Sequence, residues 1–265
     1  MQYLECVKKL LTKEYSQLEN QIQEEQFQKG KYQGKNTLWI TDCKITADRL
    51  LENKQAVLIL LTEDNRNENF SDFSYAVENI EETDAAYFEN VYRRYMDIPW
   101  DILETKRCFL RETTIEDLPA FYEIYKEPTM TEFMEDLYEE AEEKAYIEDY
   151  KKCQYGFYGY GVWTVIEKSS GNIIGRAGLS HRSGYEEAEI GFLIGVPWQR
   201  KGFATEVCEG ILKYAKEELF MDVVQSFVMP ENQASIGVCL KLGMKEYDTV
   251  TEEGGTVYKQ FRKEL

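Results

Sequence analysis

Hydrophobic positions in the first hundred residues follow two different patterns. Between residues 2 and 28 apolar side chains recur at three- and four-residue steps, which predicts a long amphipathic helix. Two continuous apolar runs follow, residues 37–41 (TLWIT) and 56–62 (AVLILLT), on either side of a helical stretch at 45–53. Continuous rather than alternating strands around a helix indicate a βαβ unit whose parallel sheet is covered on both faces.

The residues around this βαβ unit carry little recognisable chemistry. Asp42 follows the first strand, where a nucleophilic or metal-binding aspartate could lie, but no glycine-rich phosphate loop accompanies it. We therefore expect Asp42 to be a helix N-cap, and we expect Thr83 or Asp84 to cap a second helix at 81–95. The order of elements weakly resembles half of a haloacid-dehalogenase-like or flavodoxin-like domain. The sequence predicts a small Rossmann-like domain of unknown role over residues 1–104.

From residue 105 the pattern changes to antiparallel hairpins and amphipathic helices. Thr114 and Asp117 form a T-x-x-D capping pattern after a short strand at 108–111, and an acidic helical stretch is expected at 132–150. Turn residues then separate strands in the manner of a meander. The predicted elements are strands at 162–167, 173–180 and 188–196, a helix at 205–219, a strand at 223–229, a helix at 233–242 and a hairpin around residues 254–255.

The composition is that of a folded protein with an acidic surface. Hydrophobic residues make up 43% and aromatic residues 14% of 265 residues, which is enough for a core and argues against disorder. No apolar run approaches the roughly 20 residues of a membrane span, and charged residues follow Met1, so we expect a cytoplasmic protein. The net charge of −18 disfavours nucleic acid and anionic membranes as partners and favours cationic small molecules, unless it serves solubility alone.

Cysteine and histidine usage excludes several kinds of site. The six cysteines are scattered without a CxxC pair or zinc-ligand spacing, so we expect free thiols in a reducing compartment and no metal site. His181 is the single histidine. Ser-His-Asp or Cys-His catalysis is therefore disfavoured unless His181 is the base.

A glycine loop between a strand and a helix gives the most specific signal. Residues 189–205 read EIGFLIGVPWQRKGFAT, with a Q/R-x-x-G-x-G/A pattern at 199–204, and residues 232–247 read NQASIGVCLKLGMKEY. With LRETTIEDL at 110–118, these segments resemble the GNAT superfamily of acetyltransferases, in the branch that modifies ribosomal proteins and small amines. The resemblance covers residues 105–265. It implies a mostly antiparallel, splayed mixed sheet with flanking helices. The sequence therefore predicts an α/β N-terminal domain followed along the chain by an α+β domain.

The resemblance implies a binding site for acetyl-CoA as co-substrate, and elementary electrostatics explains why the loop suits it. Unpaired N–H groups and the dipole at a helix start favour a pyrophosphate, and Gly202 lets the backbone approach closely. By resemblance, main-chain groups of the strand pair with the pantetheine arm, the N–H of Ile194 stabilises the oxyanion, and Asn232 contacts CoA. The implied binding residues are Phe192, Leu193, Ile194, Gln199, Arg200, Lys201, Gly202, Phe203, Ala204, Thr205 and Asn232.

Acetyl transfer to an amine also requires proton transfer. Glu189 occupies the position of the family's strand-borne glutamate and is the candidate base, with Glu187 in reserve. Where many members carry a tyrosine acid, this chain has Cys239, which is either the acid or a packing residue. Tyr247, Tyr258 or unaided departure of the thiolate are the remaining alternatives.

The sequence leaves the acceptor open among small amines and protein N-termini. Acidic residues at 132–143 and aromatic residues at 155–163 would suit a cationic amine, unless they are a solvated helix face and core. An acyl-CoA sensor without strong activity and a bifunctional enzyme with an N-terminal phosphatase are the competing function classes. The oligomeric state is also open, with a homodimer as one alternative.

Overall fold

The computed structural model describes residues 6–10 and 36–265, in two compact units. The first unit ends at Trp100 and the second spans Asp101–Leu265. The sequence placed the boundary after residue 104. The strand Asp101–Glu104 belongs with the second unit because it pairs antiparallel with Cys108–Arg111.

The N-terminal unit is a four-stranded parallel sheet with a helix on each face. Its sheet order is β1-β2-β3-β4, and each adjacent pair is parallel. The elements are β1 (Cys6–Leu10), β2 (Thr37–Thr41), α1 (Lys44–Glu52), β3 (Ala56–Leu60), β4 (Ala76–Val77) and α2 (Ala85–Tyr95).

Alternation along β2 and β3 explains why both strands are apolar throughout. Leu38 and Ile40 pack with Val91 of α2, whereas Trp39, between them, packs with Leu50 of α1. Since both faces of the sheet are covered, every position of β2 is buried. The parallel pairing of β2 and β3 around α1 agrees with the expected βαβ order, and the Rossmann-like assignment of this unit stays a prediction.

Two N-terminal predictions need correction. Cys6–Leu10 is a strand parallel to β2 and not part of a helix; the rest of the helix predicted at 2–28 lies outside the described residues. Val7 and Leu10 are three apart, which would place them on one face of a helix, but in the strand they lie on opposite faces of the sheet and pack into different clusters. Asp42 is not the cap of α1, because the N-cap position is Cys43. The cap of α2 is confirmed, since Asp84 accepts a hydrogen bond from the N–H of Tyr87 (2.7 Å).

The C-terminal unit is built on an eight-stranded sheet of order β11-β12-β10-β9-β8-β7-β6-β5. The strands are β5 (Asp101–Glu104), β6 (Cys108–Arg111), β7 (Val162–Glu167), β8 (Ile173–Ser180), β9 (Ala188–Ile194), β10 (Val223–Val228), β11 (Lys245–Thr251) and β12 (Val257–Glu264). The helices are α3 (Leu118–Tyr125), α4 (Glu140–Tyr150), α5 (Phe203–Glu217) and α6 (Gln233–Lys241).

Helices cover both faces of this sheet. Apolar residues of α5, such as Val207 and Ile211, pack with Ile190 and Ile194 of β9. On the opposite face, Leu193 packs with Ile124 of α3. All neighbouring strands are antiparallel except β9 and β10, which are parallel, so the predicted mixed sheet is confirmed.

The acidic helix is shorter than the sequence predicts. Only Glu140–Tyr150 of the stretch 132–150 is α-helical. Before it, the main chain of Tyr138 is bonded to side chains instead of to a helix: its carbonyl accepts from the Tyr122 hydroxyl (2.8 Å) and its N–H donates to Glu143 Oε2 (3.1 Å). The chain then passes through a π-helical turn (Lys151–Tyr155) and a single α-helical turn (Gly156–Tyr158), which ends at Gly159 in the left-handed region, φ 75°. Upstream, the predicted capping box of Thr114 and Asp117 is confirmed.

In the part of the chain that the structure describes, no helix has the length and apolar character needed to cross a membrane.

Candidate functional site

A gap between β9 and β10 is the main irregularity of the sheet. The two strands pair only at Ala188 with Val224 and at Glu189 with Gln225. Gln225 fixes this junction, because its Nε2 donates to the carbonyl of Glu187 (2.8 Å) and its Oε1 accepts from Gln260 (2.7 Å). Beyond Glu189 the register between β9 and β10 ends, and the sheet opens toward the end of β9.

The direction of the β9 main chain follows from its pairing with β8. The N–H of Gly195 donates to the carbonyl of Ile174 (2.8 Å), and such pairs alternate along antiparallel strands. Leu193, opposite Arg176, therefore turns its main-chain groups toward β8. Phe192 and Ile194 turn theirs toward the gap. Of the three strand residues predicted to bind through the main chain, Leu193 is the one that the register directs away.

The loop from β9 to α5 has two residues in the left-handed region, Arg200 (φ 59°) and Gly202 (φ 81°). Gly202 is the N-cap of α5, and no side chain accepts a hydrogen bond at that position. The first N–H groups of α5, from Phe203 onward, therefore point outward without a side-chain cap, and the helix dipole adds positive potential. Such a helix start can hold a phosphate or pyrophosphate.

One side chain of the loop anchors it to β9, and two others are exposed to solvent. Gln199 donates through Nε2 to the carbonyl of Ile194 (2.9 Å), which ties the loop to the end of β9. Arg200 and Lys201 are exposed, and Ala204 and Thr205 are half-buried in the first turn of α5. The loop therefore offers amide groups at its centre and two exposed cations at its rim.

Arg107 and Glu206 support this loop, although neither residue belongs to the motif at 199–204. Arg107 Nε donates to Glu206 Oε2 (2.6 Å), its Nη1 donates to the carbonyl of Lys201 (3.0 Å), and its guanidinium lies 4.1 Å from the ring centre of Phe203. Burial raises the pKa of Glu206, but hydrogen bonds from Thr105 and Arg107 outweigh it and lower the pKa. The pair is 99 residues apart in sequence, so no local pattern reveals it.

Glu189 lies where β9 and β10 separate, with its side chain 18% exposed. Its Oε2 accepts a hydrogen bond from Arg182 Nη1 (3.0 Å). Burial raises the pKa of Glu189, and this outweighs Arg182 and the main chain of Phe227, which lower it. Glu187, the reserve base, is paired with Arg262. The carboxylate of Glu189 is therefore largely removed from water and is held in place by Arg182. Its pKa lies above the usual value for a glutamate.

The face of β9 beside Glu189 is open. Glu189, Gly191 and Leu193 share this face, and a methyl group added to Gly191 would meet no heavy atom within 4 Å. There is room for a small group directly over the strand, between a carboxylate and an apolar side chain.

Two predicted side chains have structural roles. Cys239 is fully buried, and burial raises its pKa, which favours the packing alternative over the acid. Asn232 is the N-cap of α6, with Oδ1 accepting from the N–H of Ser235 (3.0 Å). Tyr247 is exposed on β11, and the ring of Tyr258 lies 5.1 Å from the guanidinium of Arg182. The cysteines with described side chains, Cys43, Cys108, Cys153, Cys208 and Cys239, are free thiols.

The predicted acceptor wall is partly core. Tyr155 and Trp163 are buried, whereas Phe157 and Tyr158 are exposed. Tyr158 stacks on His181 with 5.8 Å between ring centres. Six of the seven predicted acidic residues are exposed: Glu132, Glu135, Asp136, Glu139, Glu140 and Glu142; Glu143 is buried. Among residues 6–10 and 36–265, no three His, Cys, Asp or Glu side chains are grouped to hold a metal ion.

The mixed sheet with its gap between β9 and β10, and the start of α5 without a side-chain cap, agree with the acetyltransferase fold that the sequence predicts. Residues 107–245 match the family model described as acetyltransferase (GNAT) domain. Since the match covers more than half of the chain, the chain belongs to this family and is an N-acetyltransferase.

Individual relatives are distant. The uncharacterized N-acetyltransferase YnaD of Bacillus subtilis is 27% identical over 144 residues, which are 54% of this chain and 82% of YnaD. An acetyltransferase from Agrobacterium tumefaciens superposes with a TM-score of 0.52 at 23% identity, covering 62% of this chain and 94% of that chain. The microcin C7 self-immunity acetyltransferase MccE, solved with acetyl-CoA and AMP, gives 0.51 at 12% identity, covering 60% and 93%.

Proposed function

We propose that this chain transfers the acetyl group of acetyl-CoA to a primary amine by direct attack in a ternary complex. The observation that carries the proposal is the gap between β9 and β10, which runs from the carboxylate of Glu189 to the uncapped start of α5. One site therefore joins a base, main-chain groups for a pantetheine arm and amides for a pyrophosphate.

The loop before α5 would hold the pyrophosphate of CoA. Its amide groups suit an extended anion, and Arg200 and Lys201 place two positive charges beside them in a protein with a net charge of −18. Arg107 supports the loop from behind, through the carbonyl of Lys201 and the ring of Phe203. The main chain of Phe192 and Ile194 then lies along the path of the pantetheine arm.

Glu189 would accept the first proton of the bound ammonium group. The neutral amine attacks the thioester carbon, the C–N bond forms, and the N–H of Ile194 stabilises the negative charge that develops on the oxygen. The C–S bond then breaks, and the second ammonium proton neutralises the departing thiolate. Because Cys239 lies in the core, we propose that this proton reaches the thiolate directly or through water, and that the thiol of Cys239 is not the acid.

The acceptor would approach over Gly191, where the face of β9 is open beside Glu189. The net charge of −18 and the exposed carboxylates of residues 132–142 favour a cationic amine, either a small molecule or a protein N-terminus. We propose no catalytic role for the N-terminal domain.

A thermal-shift titration with acetyl-CoA tests the binding site. A ligand at a hundred times its Kd stabilises the native state by about 2.7 kcal/mol. For a unit of this size that is roughly 5–10 °C. Gly202→Asp should abolish the shift, because the added carboxylate would occupy the proposed phosphate position and repel the phosphate.

Gly202→Ala is the matched control for this variant. It carries the same backbone strain at φ 81°, and its methyl would lie 3.6 Å from Arg107 Nη2, an ordinary contact. It should keep most of the shift. No shift of the wild type at millimolar acetyl-CoA would reject the proposed site.

Release of CoA with a panel of primary amines tests the reaction itself. Release of CoA with any one of these amines would support the proposed acetyl transfer. A thermal shift without CoA release from any amine would instead favour the acyl-CoA sensor.

A further inference from the structure

Arg182 lies between two carboxylates from different parts of the second unit. It belongs to the connection from β8 to β9, and its Nη1 donates to Glu189 Oε2 (3.0 Å). Its Nη2 is paired with Glu252, at the start of the hairpin loop between β11 and β12. One guanidinium therefore joins the candidate base to the β11–β12 hairpin.

Aromatic rings fix the orientation of this guanidinium. It lies 4.2 Å from the ring centre of Phe227 on β10 and 5.1 Å from that of Tyr258 on β12. Tyr185 packs edge-on against the same Phe227 ring at 4.8 Å. The side chain of Arg182 is only 20% exposed, so it is part of the packed structure and not a surface cation.

The position of Arg182 coincides with the mouth of the gap. Glu189 and Gln225 are the last paired residues of β9 and β10, and Phe227 lies beyond that junction on β10. By contacting Glu189 on one strand and Phe227 on the other, Arg182 spans the point where the strands separate. A groove next to it is lined by Arg182, Ser183, Tyr185 and residues 250–254 of the hairpin.

We propose that Arg182 is a positioning residue: it holds the carboxylate of Glu189 ionised at the mouth of the gap and ties the β11–β12 hairpin to it. Only the expected effect on turnover rests on the proposed function. The contacts themselves do not depend on which acceptor is used.

The charges that face Glu189 give the sign of the effect. Burial raises the pKa of Glu189, Arg182 and the main chain of Phe227 lower it, and Glu252 raises it. In Arg182→Gln the burial remains while the counter-ion is lost, so protonation of Glu189 becomes easier. In Glu252→Gln a like charge is lost and Arg182 stays, so the pKa of Glu189 should fall.

A 13C-carboxyl NMR titration measures the pKa of Glu189 without any turnover, with Glu189→Gln to assign the resonance. Arg182→Gln should raise this pKa, because burial remains and the counter-ion is lost. Arg182→Lys should restore part of the difference, because it returns the positive charge but not the planar group that stacks on Phe227. Glu252→Gln should shift the pKa slightly downward.

Lys259→Gln is the matched control, since it breaks another ion pair of the β11–β12 hairpin, with Glu246 (3.0 Å), away from Glu189. It should leave the titration unchanged. Equal pKa values of Glu189 in wild type and Arg182→Gln would overturn the inference. If Arg182→Gln does not fold, an unchanged or raised pKa in Glu252→Gln would overturn it as well.

The pH dependence of kcat/KM adds a second readout. The acid limb should move to higher pH in Arg182→Gln and return toward the wild type in Arg182→Lys. An unmoved limb in an active enzyme overturns the role of Arg182. Absence of CoA release by the wild type with every amine would instead count against the proposed function, and the NMR result would stand separately.

Discussion

Gly191→Ala should separate activity from stability. Gly191 lies on β9 between Glu189 and Leu193, and its backbone is not in the left-handed region that would require glycine. An added methyl meets no heavy atom within 4 Å, so the folded state accommodates it without any shift. Since glycine within a strand costs about 0.5–1 kcal/mol relative to alanine, the variant should be as stable as the wild type or slightly more stable.

The same methyl should impair the reaction. It would occupy the open face of β9, where the proposed reaction brings the amine and the thioester together at roughly 3–3.5 Å. A displacement of about 1 Å from that geometry costs on the order of a hundredfold in rate. We therefore expect kcat/KM for CoA release to fall by roughly 10- to 100-fold, while the acetyl-CoA thermal shift stays close to that of the wild type.

Gly175→Ala is the opposite case on the neighbouring strand. Its methyl would lie 2.0 Å from the carbonyl oxygen of Leu193 and 3.0 Å from Cα of Ile194, and both are main-chain atoms of β9. The sheet must shift to relieve this, which costs about 1–3 kcal/mol or more. Thermal unfolding and CoA release are measured for both variants. Gly191→Ala with wild-type turnover would show that the reaction does not occur over this face, and a lowered midpoint would contradict the open space.

Two further substitutions test the base and the packing of the unit. Glu189→Gln should lower CoA release while acetyl-CoA binding persists, and the loss should be greatest near neutral pH and lessen as the free amine becomes plentiful; unchanged turnover would move the role to Glu187 or to water. Asp117→Asn should destabilise the protein by about 3 kcal/mol in urea unfolding, because Asp117 is 1% exposed and receives hydrogen bonds from Arg111 (2.6 and 2.7 Å) and Thr164 (2.8 Å). A loss below about 1 kcal/mol would show that the arginine finds water instead.

The sequence predicts those parts of the structure whose signals are local. The strands β6, β7 and β8 agree with their predicted bounds because alternation and turn residues are read within a few positions. The cap of α2 at Asp84 and the box at Thr114 and Asp117 are equally local. By contrast, the local pattern predicts a helix where β1 lies, because the strand is specified by its pairing with Thr37–Thr41, far along the chain.

The two halves of the candidate site differ in the same way. Amides of one continuous segment, from Gln199 to Thr205, would bind the pyrophosphate, so a short motif suffices to reveal it. The proposed acceptor side would instead be assembled from the β8–β9 connection, β9, β10 and the β11–β12 hairpin, which meet through Arg182. No single segment carries that half. Substitutions in the hairpin can therefore change the environment of Glu189 while the loop before α5 keeps its geometry, which separates the choice of acceptor from the binding of acetyl-CoA.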